Sequence, residues 1–170
     1  ASTLPRQGEN SGKLSSLLRF AYYLTDYVFG QWVIHFRYVR KGVIVLYDRY
    51  YFDFINDSKR SNIKLNPKFT SRFYFLIKKP RFNYFLWAPA DVILKRKQEL
   101  TSDTINSLTS DYIALFERLQ NADKSVLYRC IKNIEIGETV AGIMRNITCK
   151  PHEKNLYQTR TLPQSGLQPA

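Results

Sequence analysis

The run Gly42-Val43-Ile44-Val45-Leu46-Tyr47 constrains the fold of this chain more than any other stretch, because it is apolar at consecutive positions and rich in β-branched residues. Strict alternation would mark a strand with one wet face. An unbroken apolar run marks a strand covered on both faces, as in the parallel sheets of α/β proteins. The run delivers Asp48-Arg49-Tyr50-Tyr51 to the carboxyl end of that strand, the edge beyond which such sheets bind ligands. An arginine suits phosphate there, since its planar fork can donate two parallel hydrogen bonds to one anion.

The surrounding sequence alternates helical and strand patterns. Over residues 15–41, apolar side chains recur at three- and four-residue spacings. They predict a long helix, capped by Ser15 or Ser16, loosened in its middle by Gly30 and ended at Gly42. Residues 53–66 are polar and basic and read as a loop. Asn66-Pro67 predicts an N-cap followed by proline at the first helical position, with the helix running to about Lys79 and stopping before Pro80. Residues 81–87 and 125–131 read as two further strands. Between them, Pro89-Ala90-Asp91 opens one helix and Thr101 or Ser102 caps another, whose apolar face carries Ile105, Leu108, Tyr112, Leu115, Phe116 and Leu119. Residues 136–147 form the last predicted helix, with Val140, Ile143, Met144 and Ile147 as its buried stripe. Residues 150–170 are polar and contain three prolines, the composition of a disordered tail. Strands alternating with helices argue for a mostly parallel sheet in an α/β fold. Three strands are few for so many helices.

Charge narrows the partners without choosing among them. A net charge of +12 implies anionic ligands, whether nucleotide, nucleic acid or an acidic surface. No zinc-finger spacing and no RNA-recognition signature accompanies it, so nucleic acid has no motif behind it. Cys130 and Cys149 form no spaced cluster, and His35 and His152 stand far apart, so neither a disulfide framework nor a metal site is indicated. No apolar run approaches the roughly 18–20 residues of a membrane span, and the N-terminus has no signal-peptide core. These features lead to the expectation of a cytoplasmic protein with reduced thiols.

Three stretches in this order resemble the thymidylate-kinase-like branch of the P-loop nucleoside-monophosphate kinases. Leu4-Pro5-Arg6 followed by Gly12-Lys13-Leu14-Ser15-Ser16 is similar to the segment after the second strand of these kinases. Residues 43–50 resemble their strand ending in Asp-Arg-Tyr. Residues 81–96, an apolar strand, a proline and then Leu94-Lys95-Arg96, resemble the strand and helix leading into their lid. The resemblance implies a three-layer sandwich with a parallel sheet, over residues 1–149, and transfer of the ATP γ-phosphoryl group to a nucleoside monophosphate or related acceptor, with Mg²⁺. It also implies roles for particular residues. Arg49 would clamp the acceptor phosphate, Asp48 would sit near Mg²⁺ and the phosphates, and Tyr50 or Tyr51 would pack on the acceptor sugar. Arg6 would lie near a phosphate-contacting arginine, and Arg96 would meet the adenine or phosphates of ATP. On the long helix, Arg19, Tyr22, Tyr23, Asp26 and Tyr27 recur at one-turn spacing and are candidates for an acceptor pocket. The plainer reading makes those tyrosines core and the charges rim.

The chain departs from the family where the chemistry is most demanding. A phosphate loop needs four residues between its glycines and then Gly-Lys-Ser/Thr, so that backbone N–H groups wrap the phosphates at a helix start. Gly8-Glu9-Asn10-Ser11-Gly12-Lys13-Leu14 has three, with Leu14 in the Ser/Thr position. Trp87 stands where many relatives have an acidic or small polar residue. With no initiating Met and no Walker A loop, the expectation is a domain truncated at its N-terminus, lacking a strand that in the family lies between those of residues 42–48 and 82–87. Catalysis should then be impaired, with unpaired strand edges open to self-association. The alternative is a non-catalytic anion- or nucleic-acid-binding module on a degenerate kinase fold.

Overall fold

The computed structural model describes residues 12–148, so Arg6, Cys149, most of the Gly8–Leu14 stretch and the tail lie outside the described residues. Helix α1 (Lys13–Arg37) opens the described chain. It is followed by a 3₁₀ turn at Val39–Lys41 and by Gly42, which adopts the left-handed conformation with φ +80°. That backbone state favours glycine, the one residue without a Cβ to clash. Helices α2 (Phe52–Asn56) and α3 (Pro67–Arg72) come next, then strand β1 (Phe82–Trp87) and helix α4 (Ala90–Arg96). Helix α5 (Ser102–Ala122), strand β2 (Leu127–Lys132) and helix α6 (Ile136–Thr148) complete the order.

The described residues are mostly helical, with one two-stranded parallel sheet in which Phe82 pairs with Leu127 and Trp87 with Lys132. Side chains alternate across a sheet, and here the two faces meet different helices. On one face, Phe85 stacks on Tyr112 of α5 with ring centres 4.6 Å apart, and Tyr128 meets Phe116 at 5.8 Å. On the other face, Arg129 donates to Asn146 of α6 at 3.0 Å, and Gly142 of α6 comes up against Ile131.

The core is aromatic and lies where α1, α2, α3 and α5 converge. Tyr51 is fully buried and donates to the Thr70 carbonyl at 2.8 Å. Phe52 packs on Phe116 at 4.9 Å, and the Tyr74 and Tyr128 hydroxyls pair at 2.9 Å. Buried hydroxyls need such partners, because an unpaired one loses its water without compensation.

Several predicted features take a different form. Residues 43–47 make no strand, and no backbone hydrogen bond joins residues 44–48 to another described segment. A strand exists only through its neighbour, and the apolar run has none here. Residues 53–66 are partly helical, because Phe52, Phe54 and Ile55 turn inward to the core. The helix begun at Asn66 changes to a 3₁₀ turn at Phe73–Leu76 instead of reaching Lys79. Neither Ser15 nor Ser16 caps α1: Gly12 is the N-cap, and Ser16 is buried in the first turn, where its Oγ accepts from the Lys64 N–H at 3.1 Å. The apolar stripe of α6 is largely uncovered, with Val140, Met144 and Ile147 all exposed.

Candidate functional site

Beside β1 lies a cleft of about 1080 Å³. One wall is formed by residues 43–50, the other by all six residues of β1, and no residue of β2 contributes. Helix α1 closes one end with Gln31 and His35, α5 contributes Ile105, Leu108 and Tyr112, and α6 contributes Ile143 and Ile147. Asp48 and Arg49 both line this space. The segment that the sequence marks as a strand therefore brings its Asp-Arg pair to a cavity even though it pairs with no other described segment.

Arg49 is half exposed, and its one described side-chain bond is to Asp53, Nη1 to Oδ2 at 3.2 Å. The pair is local, with Arg49 in the bend before α2 and Asp53 in the first turn of that helix, four residues on. Exposed pairs of this kind are worth about 0.3–0.5 kcal/mol, so an anion with two acceptor oxygens can displace it cheaply. The second Asp53 oxygen, Oδ1, accepts from the Tyr112 hydroxyl at 2.6 Å. Burial, first, and then the Asp53 charge and that hydrogen bond push the Tyr112 phenol well above its ordinary range; Asp57 adds to the rise and Arg49 opposes it. Tyr27 is raised to about 12 by burial, then by Asp53 and Asp26, again against Arg49. Arg49, Asp53, Asp26, Tyr27 and Tyr112 thus share one electrostatic neighbourhood. Asp53 and Tyr112 escaped the sequence reading as site residues. The i,i+4 spacing of Arg49 and Asp53 was the available signal, while Tyr112 looked like any aromatic on an apolar helix face.

The remaining sequence candidates are placed elsewhere. Tyr50 is buried, receives a hydrogen bond from Gln31 Nε2 and donates to the Lys78 carbonyl. Tyr51 is the center of the core, as described. Tyr50 nonetheless forms part of the cleft wall, whereas Tyr51 does not line the cleft. Tyr23 and Tyr27 also pack against the core, whereas Tyr22 is exposed. Arg19 is half buried on α1, two turns before the exposed Asp26, and neither lines the cleft. Arg96 donates from Nη1 to the Asn133 carbonyl at 3.3 Å and from Nη2 to the Ile134 carbonyl at 2.9 Å. Its fork ties α4 to the turn after β2 and is occupied by backbone. Trp87 ends β1 with the Lys132 ammonium 5.9 Å from its ring centre.

The α1 end of the cleft is basic. Lys78 sits 5.2 Å from the centre of the Trp32 ring, and Lys79 Nζ donates to Asp123 Oδ2 at 3.0 Å. His35 lies close by, and its pKa is held below 6.5 by desolvation, then by Lys78 and Arg40. Its Nδ1 and the Gln31 Oε1, one turn apart on α1, are buried without a hydrogen-bond partner. Cys130, half buried in β2, has its thiol raised to about 11 by burial and then by Glu117, which leaves little thiolate near neutrality. Among the described residues, no group of three or more His, Cys, Asp or Glu is set to hold a metal ion, and no helix is long and apolar enough to cross a membrane. No protein-family model matches the chain, and no curated protein or solved structure does so either.

Proposed function

We propose that this chain carries the acceptor side of a thymidylate-kinase-like domain, a three-layer sandwich in outline, and that it binds a phosphate-bearing nucleotide at Arg49 without completing phosphoryl transfer by itself. The observation that supports this reading is the position of Arg49. It lines an open cleft beside Asp48, and its one described side-chain hydrogen bond is to the partly buried Asp53 carboxylate, four residues on. The tetrahedral phosphate of a nucleoside monophosphate presents pairs of acceptor oxygens that a planar guanidinium fork can engage two at a time.

One placement favours binding over catalysis. Phosphoryl transfer rests on positioning and on neutralising charge around the transferred group. Arg96, the candidate for the ATP side, is engaged with two backbone carbonyls. Mg²⁺ commonly arrives with substrate phosphates and needs only one or two protein carboxylates. Asp48 is the residue that could meet it, since both Asp53 oxygens are engaged by Arg49 and Tyr112.

The test is titration calorimetry of the purified chain with dTMP, thymidine and Mg-ATP, at low and physiological salt. The expected result is saturable dTMP binding, none with thymidine, loss of at least tenfold in affinity in Arg49→Gln, and little Mg-ATP binding. Equal dTMP binding by wild type and Arg49→Gln would overturn the assignment to Arg49. Turnover of Mg-ATP and dTMP at an ordinary enzymatic rate would overturn the non-catalytic part. Salt-steep binding of single-stranded DNA stronger than that of dTMP would replace it with the nucleic-acid reading.

A further inference from the structure

The cleft has a second property, independent of phosphate. In a parallel ladder the N–H and C=O of one residue point to the same side, and successive residues point to opposite sides. The Arg81 carbonyl accepts from the Leu127 N–H at 3.0 Å and the Trp87 carbonyl from the Asn133 N–H at 2.7 Å. Odd-numbered positions of β1 therefore bond to β2, and the backbone groups of Tyr84 and Leu86 point the other way. That edge faces the cleft, because β1 lines it throughout and β2 not at all. Neither residue has a backbone partner there among the described residues. Across the cleft, residues 44–48 are equally without ladder bonds.

The walls above and below this gap are apolar. Ile105 and Leu108 of α5 line it from one face of the sheet, and Ile143 and Ile147 of α6 from the other. Ile44 and Leu46 stand 79% and 86% exposed on its far side. Such exposure on two apolar residues of one short segment is costly unless something covers them. Backbone donors and acceptors along one edge, with apolar side chains on both faces, describe the seat of a strand that is itself covered on both faces.

We propose that this cleft is a strand-docking site whose occupant is an extended, β-branched apolar peptide of about six residues, inserted between β1 and residues 43–47. It would bond to the N–H and C=O groups of Tyr84 and Leu86 and place its side chains against α5 and α6. The six residues of β1 set the length. Residues 1–11 and 149–170 contain no apolar run of that length. The recognition is main-chain augmentation of a free edge, and acidic residues flanking the peptide would suit the basic end formed by Lys78 and Arg81.

The probe is a fluorescent peptide, Glu-Gly-Val-Ile-Val-Val-Ile-Val-Gly-Glu, titrated against the full chain by anisotropy, with hydrogen exchange read residue by residue. The expected result is saturable binding, with the Tyr84 and Leu86 amides slowing at least tenfold and those of residues 44–47 slowing with them. The same peptide N-methylated at alternate residues should not bind. Leu86→Pro removes a donor that β2 does not use, and proline is tolerated on a free edge, so this variant should keep its helical circular dichroism and lose at least tenfold in affinity. Absence of binding, or binding that leaves Tyr84 and Leu86 unprotected, overturns the proposal. Concentration-dependent dimerisation that protects those amides without peptide would overturn it in favour of a second copy as occupant.

Discussion

Phe20 shows how much of this molecule rests on single interior rings. It is 2% exposed, and the rings of Tyr51, Phe54, Phe69 and Phe73 surround it at centre distances between 5.6 and 6.5 Å, all tilted or edge-on. Those geometries suit the ring quadrupole, and each such pair adds to what burial alone supplies. Truncating it would open a void among groups from α1, α2 and α3 at once. Phe20→Ala should destabilise the fold by about 3–5 kcal/mol, read as a lower urea midpoint. Tyr22, two residues on and 70% exposed, is the control. Tyr22→Ala should stay within about 0.5 kcal/mol of wild type, and equal losses in the two variants would contradict the placement of α1. The sequence could not separate these two aromatics, because α1 carries apolar residues on more than one face. Arg49 lines the cleft, although the strand that its neighbours in the chain predicted does not form.

At the scale of elements, several of the features read correctly were decided locally. Asn66 caps α3 with Oδ1 accepting from the Lys68 N–H at 2.8 Å, and Pro67 follows it at the first helical position. Thr101 caps α5 through the Thr104 N–H, and Gly42 takes the left-handed turn after α1 and its 3₁₀ extension. Each of these depends on a few adjacent residues. Two of the failures depended on distant partners. The run at residues 43–47 had every property of a buried strand except a neighbour, and the stripe of α6 had every property of a core face except a covering layer. Gly30 gives a local test of the longest element. It sits inside α1, and a Cβ there would meet only Asp26 Oδ1 at 4.0 Å, an ordinary contact. Glycine in a helix interior costs about 0.5–1 kcal/mol relative to alanine. Gly30→Ala should therefore raise stability by that amount. A lower melting temperature would show that α1 needs flexibility at that point.

For the whole molecule, the tyrosines make folding a barrier to ionisation. Tyr27 is raised to about 12, with burial first among the causes and Asp53 and Asp26 after it. Tyr50, Tyr51, Tyr74 and Tyr112 are raised as well, burial leading in each. A phenol is neutral when protonated, so these native environments favour the protonated form, and the unfolded chain releases its protons nearer pH 10. Above that pH the native state binds more protons than the unfolded one, and stability must fall as pH rises. The contribution of these groups is complete below pH 10 and is lost as pH climbs to 12 and beyond. Their hydroxyls also join separate elements, Tyr74 to Tyr128 across the core and Tyr112 to Asp53 between α5 and α2. Ionising one member breaks a bond that others rely on, which couples their titration to global unfolding. Absorbance at 295 nm and far-ultraviolet circular dichroism, followed together from pH 9 to 13, should show the phenolates of this buried set appearing as the helical signal is lost. If the full tyrosinate absorbance developed while the helices stayed intact, these rings would have to lie nearer to solvent than the aromatic core places them.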